Sequence, residues 1–104
     1  MTAQDPVTDL NQLREHATEA ARLLRALSNE SRLMILCSLA AGELSVTELN
    51  DRIELSQSGL SQQLAILRRE GYVATRREAQ TIYYRLAPSN ALRVIHLLKD
   101  MYCS

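Results

Sequence analysis

The chain has 104 residues, 46% of them hydrophobic, with no Trp, no Phe and a formal net charge of zero. A length like this is one domain with a small core, and no apolar run approaches the roughly 20 residues that span a bilayer. The opening from Met1 to Asp9 is polar and acidic, unlike a signal peptide. The expected compartment is therefore the cytoplasm, where two cysteines are reduced by default. The zero charge hides a gradient. In residues 1–20, Asp5, Asp9, Glu15 and Glu19 outnumber the single Arg14, whereas in residues 56–86 Arg68, Arg69, Arg76, Arg77 and Arg85 outnumber Glu70 and Glu78. A phosphate backbone responds to that local basic block and not to the mean.

In chain order, residues 1–8 read as a disordered N-terminal tail, with Pro6 arguing against helix, and residues 9–104 as the single folded domain. Asp9 caps a first helix, whose Leu10, Leu13, Ala17, Ala20, Ala21, Leu24 and Leu27 fall at helical spacing. Ser28-Asn29 ends it and caps a second, nearly all-apolar helix through Leu33, Ile35, Leu36, Cys37, Leu39 and Ala40, closed by Gly42. Ser45 and Glu48 form a capping box for a short third helix, Val46 to about Ile53. Ser56 caps a fourth, with Leu60, Leu64, Ile66 and Leu67 inward and Gly71 at its end. Two short helices joined by about four residues have helix-turn-helix geometry. The period then changes. Residues 72–75 and 81–86 are rich in β-branched and aromatic side chains, and Arg76-Arg77-Glu78-Ala79-Gln80 between them reads as a polar hairpin tip. Pro88 precedes a last helix, Ser89 to about Tyr102, with Leu92, Ile95, Leu98, Met101 and Tyr102 on one face. The fold class is mainly α, in the order α-α-α-α-β-β-α: a winged helix-turn-helix.

The outward face of the fourth helix reads Ser56, Gln57, Ser58, Ser61, Gln62 and Gln63. Gln pairs bidentately with adenine, and Ser bonds base or phosphate. An ordinary solvent face favours Glu and Lys, and neither occurs between Ser56 and Arg69. Ser58 and Gly59 are small enough for close approach to a duplex. Arg68 and Arg69 at the helix end, Arg76 and Arg77 on the wing and Gln80 at its tip complete a DNA-binding set in which the arginines meet phosphates. Leu10, Leu13, Ala17 and Ala20 on the first helix, with Ile95, Leu98 and Tyr102 on the last, need a partner. The expected assembly is a homodimer through first and last helices, its reading helices about 34 Å apart on an inverted-repeat operator in double-stranded DNA.

The segment LLRALSNESRLMILCSLAAGELSVTELNDRIELSQSGLSQQLAILRREGYVATRREAQTIYYRL resembles the ArsR (SmtB/ArsR) family of winged-helix regulators, over about residues 20–103. ELSQSGLSQQLAILRREG followed by a hairpin ending in IYYRL is specific to it. The resemblance implies a homodimeric, operator-binding transcriptional regulator, in a family of which many members release DNA when an inducer binds. Some subgroups sense metals with a Cys-x-Cys pair on the third helix. Here Val46-Thr47-Glu48-Leu49-Asn50 carries no Cys, and on the last helix only His96 and Asp100 offer ligands. No metal and no cofactor are expected, His96 reads as a half-exposed packing residue, and His16 as a surface side chain without a companion ligand.

Taken alone, Cys37 on an apolar helix reads as a small hydrophobe, while Cys103 beside the C-terminus is harder to ascribe to packing. With ILCSL and MYCS around them, the pair resembles the HlyU/BigR/SqrR branch. That implies a Cys37/Cys103 dithiol switch responding to persulfide, other reactive sulfur species or oxidants, closing a disulfide or polysulfide bridge. A direct disulfide needs Cα atoms about 4.4–6.8 Å apart. Branch members repress, or activate by relieving silencing. The alternatives are a metal-responsive or non-sensing regulator of the same family, and a winged helix that docks protein. The polar fourth helix argues against the last. An enzyme is excluded by the absence of a nucleophile–base pair, a Gly-rich phosphate loop or clustered carboxylates. Glu48, Asp51 and Glu54 read as solvated charge.

Overall fold

A computed structural model describes residues 6–103, with side chains from residue 9. The elements are α1 (Pro6–Leu27), α2 (Glu30–Leu39), β1 (Leu44–Ser45), α3 (Val46–Arg52), α4 (Gln57–Arg69), β2 (Val73–Glu78), β3 (Thr81–Leu86) and α5 (Asn90–Tyr102). This is a winged helix-turn-helix, with five helices and an antiparallel sheet of order β1-β3-β2. Helix α1 begins three residues before Asp9, and Pro6 starts it instead of blocking it. At a first helical position the fixed φ of proline suits the helix and its missing N–H has no intrahelical acceptor to lose. The rest of the expected tail, residues 1–5, lies outside the described residues.

The core is where α2, α3, α4, α5 and the wing converge. Ile35, Leu36, Leu49, Leu60, Leu64, Leu67 and Ile95 are fully buried there, with Leu39, Leu44, Val73 and Ala91 around them. The apolar composition of α2 follows from its position, since its neighbours cover most of its circumference. Helix α1 is different. Every side chain from Asp9 to Glu19 is exposed, and only Leu23, Ala26 and Leu27 in its last turns join the core. The molecule is consequently long, 52 × 31 × 23 Å with a radius of gyration of 16.0 Å, against about 13 Å for a compact chain of this size.

Helix α4 is joined to the wing by a Schellman turn. Gly71 takes a φ of +80°, its N–H donates to the Arg68 carbonyl at 3.1 Å, and the Tyr72 N–H donates to the Leu67 carbonyl at 2.9 Å. The hairpin tip is tighter than expected. Arg76, Arg77 and Glu78 belong to β2, and only Ala79 and Gln80 form the loop, because Glu78 pairs with Thr81. Ala79 carries a φ of +55°, at the loop position that a type II′ turn gives to glycine. Strand β1 is an addition to the sequence reading. Its Leu44 and Ser45 pair with Tyr84 and Tyr83 and so tie the start of α3 to the wing.

Candidate nucleic-acid interface and thiol pair

Capping fixes the helix-turn-helix. Ser45 Oγ accepts from the Glu48 N–H at 3.2 Å, and the Glu48 carboxylate accepts from the Ser45 N–H at 2.9 Å. Hydrogen bonding from the Ser45 backbone, and after it the Ser45 side chain, holds the Glu48 carboxyl below its ordinary pKa. Helix α3 ends at Arg52 with Ile53 as its C-cap, the Leu55 N–H bonds back to the Ile53 carbonyl at 2.9 Å, and Ser56 caps α4 by accepting from the Gly59 N–H at 3.0 Å. A Cβ added at Gly59 would lie 3.0 Å from Ser56 Oγ. The glycine therefore leaves room for the capping oxygen.

From this anchored start, Ser56, Gln57, Ser58, Ser61 and Gln62 are exposed, as are Arg68 and Arg69 at the far end. Gln63 differs. It is half-buried, and its Oε1 accepts from Arg32 Nη1 on α2 at 3.1 Å. The sequence reading placed Gln63 on the outward face and overlooked Arg32, because the two lie 31 residues apart.

The wing separates its two arginines by strand alternation. Arg76 is opposite Tyr83, and Arg77 is opposite Ile82. The Arg76 guanidinium is paired within the chain through all three nitrogens, while its side chain remains 45% exposed. It bonds both Glu43 oxygens through Nε at 2.9 and 3.1 Å, adds Nη2 to Glu43 at 2.7 Å and Nη1 to Glu78 at 2.9 Å, and lies 4.6 Å above the Tyr83 ring. Those carboxylates raise its pKa still further. Arg77 is exposed and, among the described residues, has no ion pair. It shares a strand face with Tyr84, and Tyr84 lines an open groove with Val46, Ser61, Leu64, Ala65, Arg68 and Arg69. Arg77 therefore lies on the side of the reading helix. Gln80 is exposed at the tip.

Both cysteines are free thiols, Cys37 half-buried and Cys103 exposed. Cys37 lies on α2, which packs against α5. Cys103 is the residue that ends α5, its N–H donating to the Lys99 carbonyl at 2.8 Å. Burial pushes the Cys37 pKa up, the Lys99 ammonium pulls it down, and Cys103 pushes it up again.

A model of the bacterial regulatory protein arsR family matches residues 29–75. Over 95 residues, the chain is 50% identical to the transcriptional activator HlyU of Vibrio cholerae serotype O1, covering 91% of this chain and 88% of that one. It is 48% identical to a biofilm growth-associated repressor of Agrobacterium fabrum, covering 88% of this chain and 79% of the repressor. The chain belongs to the arsR family. The structure of reduced HlyU from Vibrio cholerae N16961 superposes with a TM-score of 0.85 at 50% identity, over 89% of this chain and 98% of that one. The arsR-family chain is thus a transcriptional regulator, as the resemblance implied, and not an enzyme.

Its apolar surface is also shifted from expectation. Leu10 and Leu13 on α1 and Tyr102 on α5 are exposed as anticipated, but Ile95 is completely buried and Leu98 packs against the chain's own core. The face that α5 leaves open is formed by Leu97, Met101 and Tyr102, with Leu24 on α1 and Met34 on α2 also exposed. His96 and Asp100 are exposed, and among the described residues no three His, Cys, Asp or Glu side chains converge as metal ligands. His16 does have a carboxylate neighbour, with Nδ1 3.9 Å from Glu19 on the exposed surface. Among the described residues no helix is long and apolar enough to cross a membrane.

Proposed function

We propose that this arsR-family regulator binds an inverted-repeat operator as a homodimer in the cytoplasm and leaves it when Cys37 and Cys103 are bridged. The observation that carries the DNA reading is the face of α4. In a molecule without net charge, five exposed Ser and Gln side chains from Ser56 to Gln62 are followed by Arg68 and Arg69, with neither arginine in an ion pair among the described residues. Gln57, Ser58, Ser61 and Gln62 reach base edges, and Ser56, Arg68, Arg69, Arg77 and Gln80 hold the backbone. Arg76 acts by a different route: clasped by Glu43 and Glu78, it fixes the wing so that Arg77 meets the phosphate. Dimerisation buries the apolar sides of α1 and α5, which otherwise leave Leu10, Leu13, Leu24, Leu97, Met101 and Tyr102 in water.

The thiols divide the chemistry by exposure. The Cys103 thiolate attacks a small persulfide, RSSH, taking its terminal sulfur and releasing RSH. The Cys37 thiolate then attacks the Cys103 sulfur, closing the Cys37–Cys103 disulfide and releasing hydrosulfide. Lys99 favours the second step by drawing the Cys37 pKa down against its burial. Because Cys103 ends α5 and Cys37 lies on α2, the bridge ties the dimer helix to the core and changes how the two protomers present α4.

The test is operator binding by fluorescence anisotropy, reduced and after a persulfide donor, with a mass spectrum of each sample. The expected result is a drop in affinity of at least about fivefold, the low end of allosteric couplings, together with loss of two hydrogens and a crosslinked peptide. The Cys37→Ser, Cys103→Ser protein should bind with undiminished affinity in both states. If it too is released by the donor, the thiol switch is wrong.

A further inference from the structure

The side chain of Arg32, in the first turn of α2, has three hydrogen-bond partners, and they lie on two other helices. Its Nε donates to the Ala26 carbonyl at 3.0 Å, Nη2 to the Arg25 carbonyl at 3.0 Å and Nη1 to Gln63 Oε1 at 3.1 Å. The two carbonyls lie in the last turn of α1, where intrahelical donors run out, and the guanidinium also meets the negative end of that helix. Only a planar fork of this reach serves both carbonyls and a side chain on α4 together. A second, looser tie joins the same two helices. Arg22 Nε on α1 lies 3.7 Å from the Glu70 carboxylate at the end of α4, with the Arg22 side chain 58% exposed.

We infer that Arg32 is a positioning residue for operator spacing: it fixes the reading helix α4 against the end of α1, the helix through which the second copy docks. The inference rests on the proposed function. In each protomer the angle between α1 and α4 sets where the reading face lies relative to the dimer axis. Two such angles set the distance between the reading faces, and therefore the half-site spacing the dimer accepts. Gln63 serves this clamp in place of reading a base, because it is half-buried and its amide oxygen is turned to Arg32. Arg32 acts through Gln63 and α1, and does not itself meet DNA.

The experiment is a double-mutant cycle with Arg32→Lys, Gln63→Ala and the pair. Affinity is read on an operator of preferred spacing and on operators one and two base pairs longer. The Arg32→Lys side chain keeps the charge and loses the fork. Each single variant should lower the preference for the native spacing by about tenfold, the effect of one charge-assisted hydrogen bond. The double variant should lose no more than either single one, and Arg32→Gln should leave the salt dependence of binding unchanged. Additive losses overturn the inference, because Gln63 then reads a base. A shallower salt slope in Arg32→Gln overturns it as well, because Arg32 then meets a phosphate. The same cycle by urea denaturation separates the two levels. If the wild type prefers no DNA while the cycle shows coupling in stability, the proposed function fails and Arg32 is only structural. If the wild type prefers a spacing that the variants retain, the inference alone fails.

Discussion

Helices α4 and α5 are each 13 residues long and each follows a serine at the N-cap, yet they offer opposite surfaces. Both bury a leucine or isoleucine stripe in the same core. Outward, α4 presents Ser, Gln and Arg, whereas α5 presents Leu97, Met101 and Tyr102. The caps differ too: Ser56 accepts from the Gly59 N–H, and the Ser89 side chain makes no cap bond. The helix proposed to face the grooves of DNA is closed at its start and polar on its free side. One built to meet a second copy keeps its free side apolar and relies on that copy to complete its burial.

The comparison breaks most visibly on the apolar side. Leu97→Asp with Met101→Asp should leave a folded monomer by analytical ultracentrifugation. Its operator affinity should fall by about three orders of magnitude, the lower bound of the gap between specific and non-specific binding. A dimer that survives both charges would remove α5 from the interface. On the polar side, Gln62→Ala should cost about 1–3 kcal/mol at one base position with the salt slope unchanged. Arg77→Ala should weaken binding to all sequences and reduce the slope by about one. Exchanged behaviours would exchange the roles assigned to them.

The caps give a smaller contrast. Ser56→Ala should lower stability by about 1 kcal/mol in urea denaturation, and Ser89→Ala, with no cap bond to lose, should lower it by much less. Smallest is a pH effect in α3. Glu48 is held below its ordinary pKa of 4.5 by its bonds to Ser45. The folded state therefore favours the carboxylate. The stability this adds is present above pH 4.5 and is lost as pH falls through the depressed value. Glu48→Gln should flatten the acid limb of a urea-midpoint curve, and an unchanged limb would refute the role of that cap in acid stability.

The helix-turn-helix was legible because its signals are local. Ser45-x-x-Glu48, Ser56 and Gly71 mark helix ends within a few residues, and the apolar period fills the gaps. What escaped depends on distant partners or on too few residues. Strand β1 has two residues, too short for any period. The Glu43–Arg76 clasp joins positions 33 residues apart, so Arg76 read as a free cation. The face of α5 escaped for another reason. Nearly every turn of that helix carries an apolar residue, so its periodicity does not distinguish the side facing its own core, with Ile95, from the side left open by Leu97. The charge gradient correctly located basic side chains, but it carried no information on which were already paired.

The most direct measurement is selection of the full-length reduced protein on a randomised duplex library, followed by sequencing. The account predicts enrichment of an inverted repeat whose half-site centres lie about ten base pairs, or a multiple of that, apart, as two α4 helices on one face of DNA require. Enrichment of a single half-site, or no enrichment over input, would contradict it.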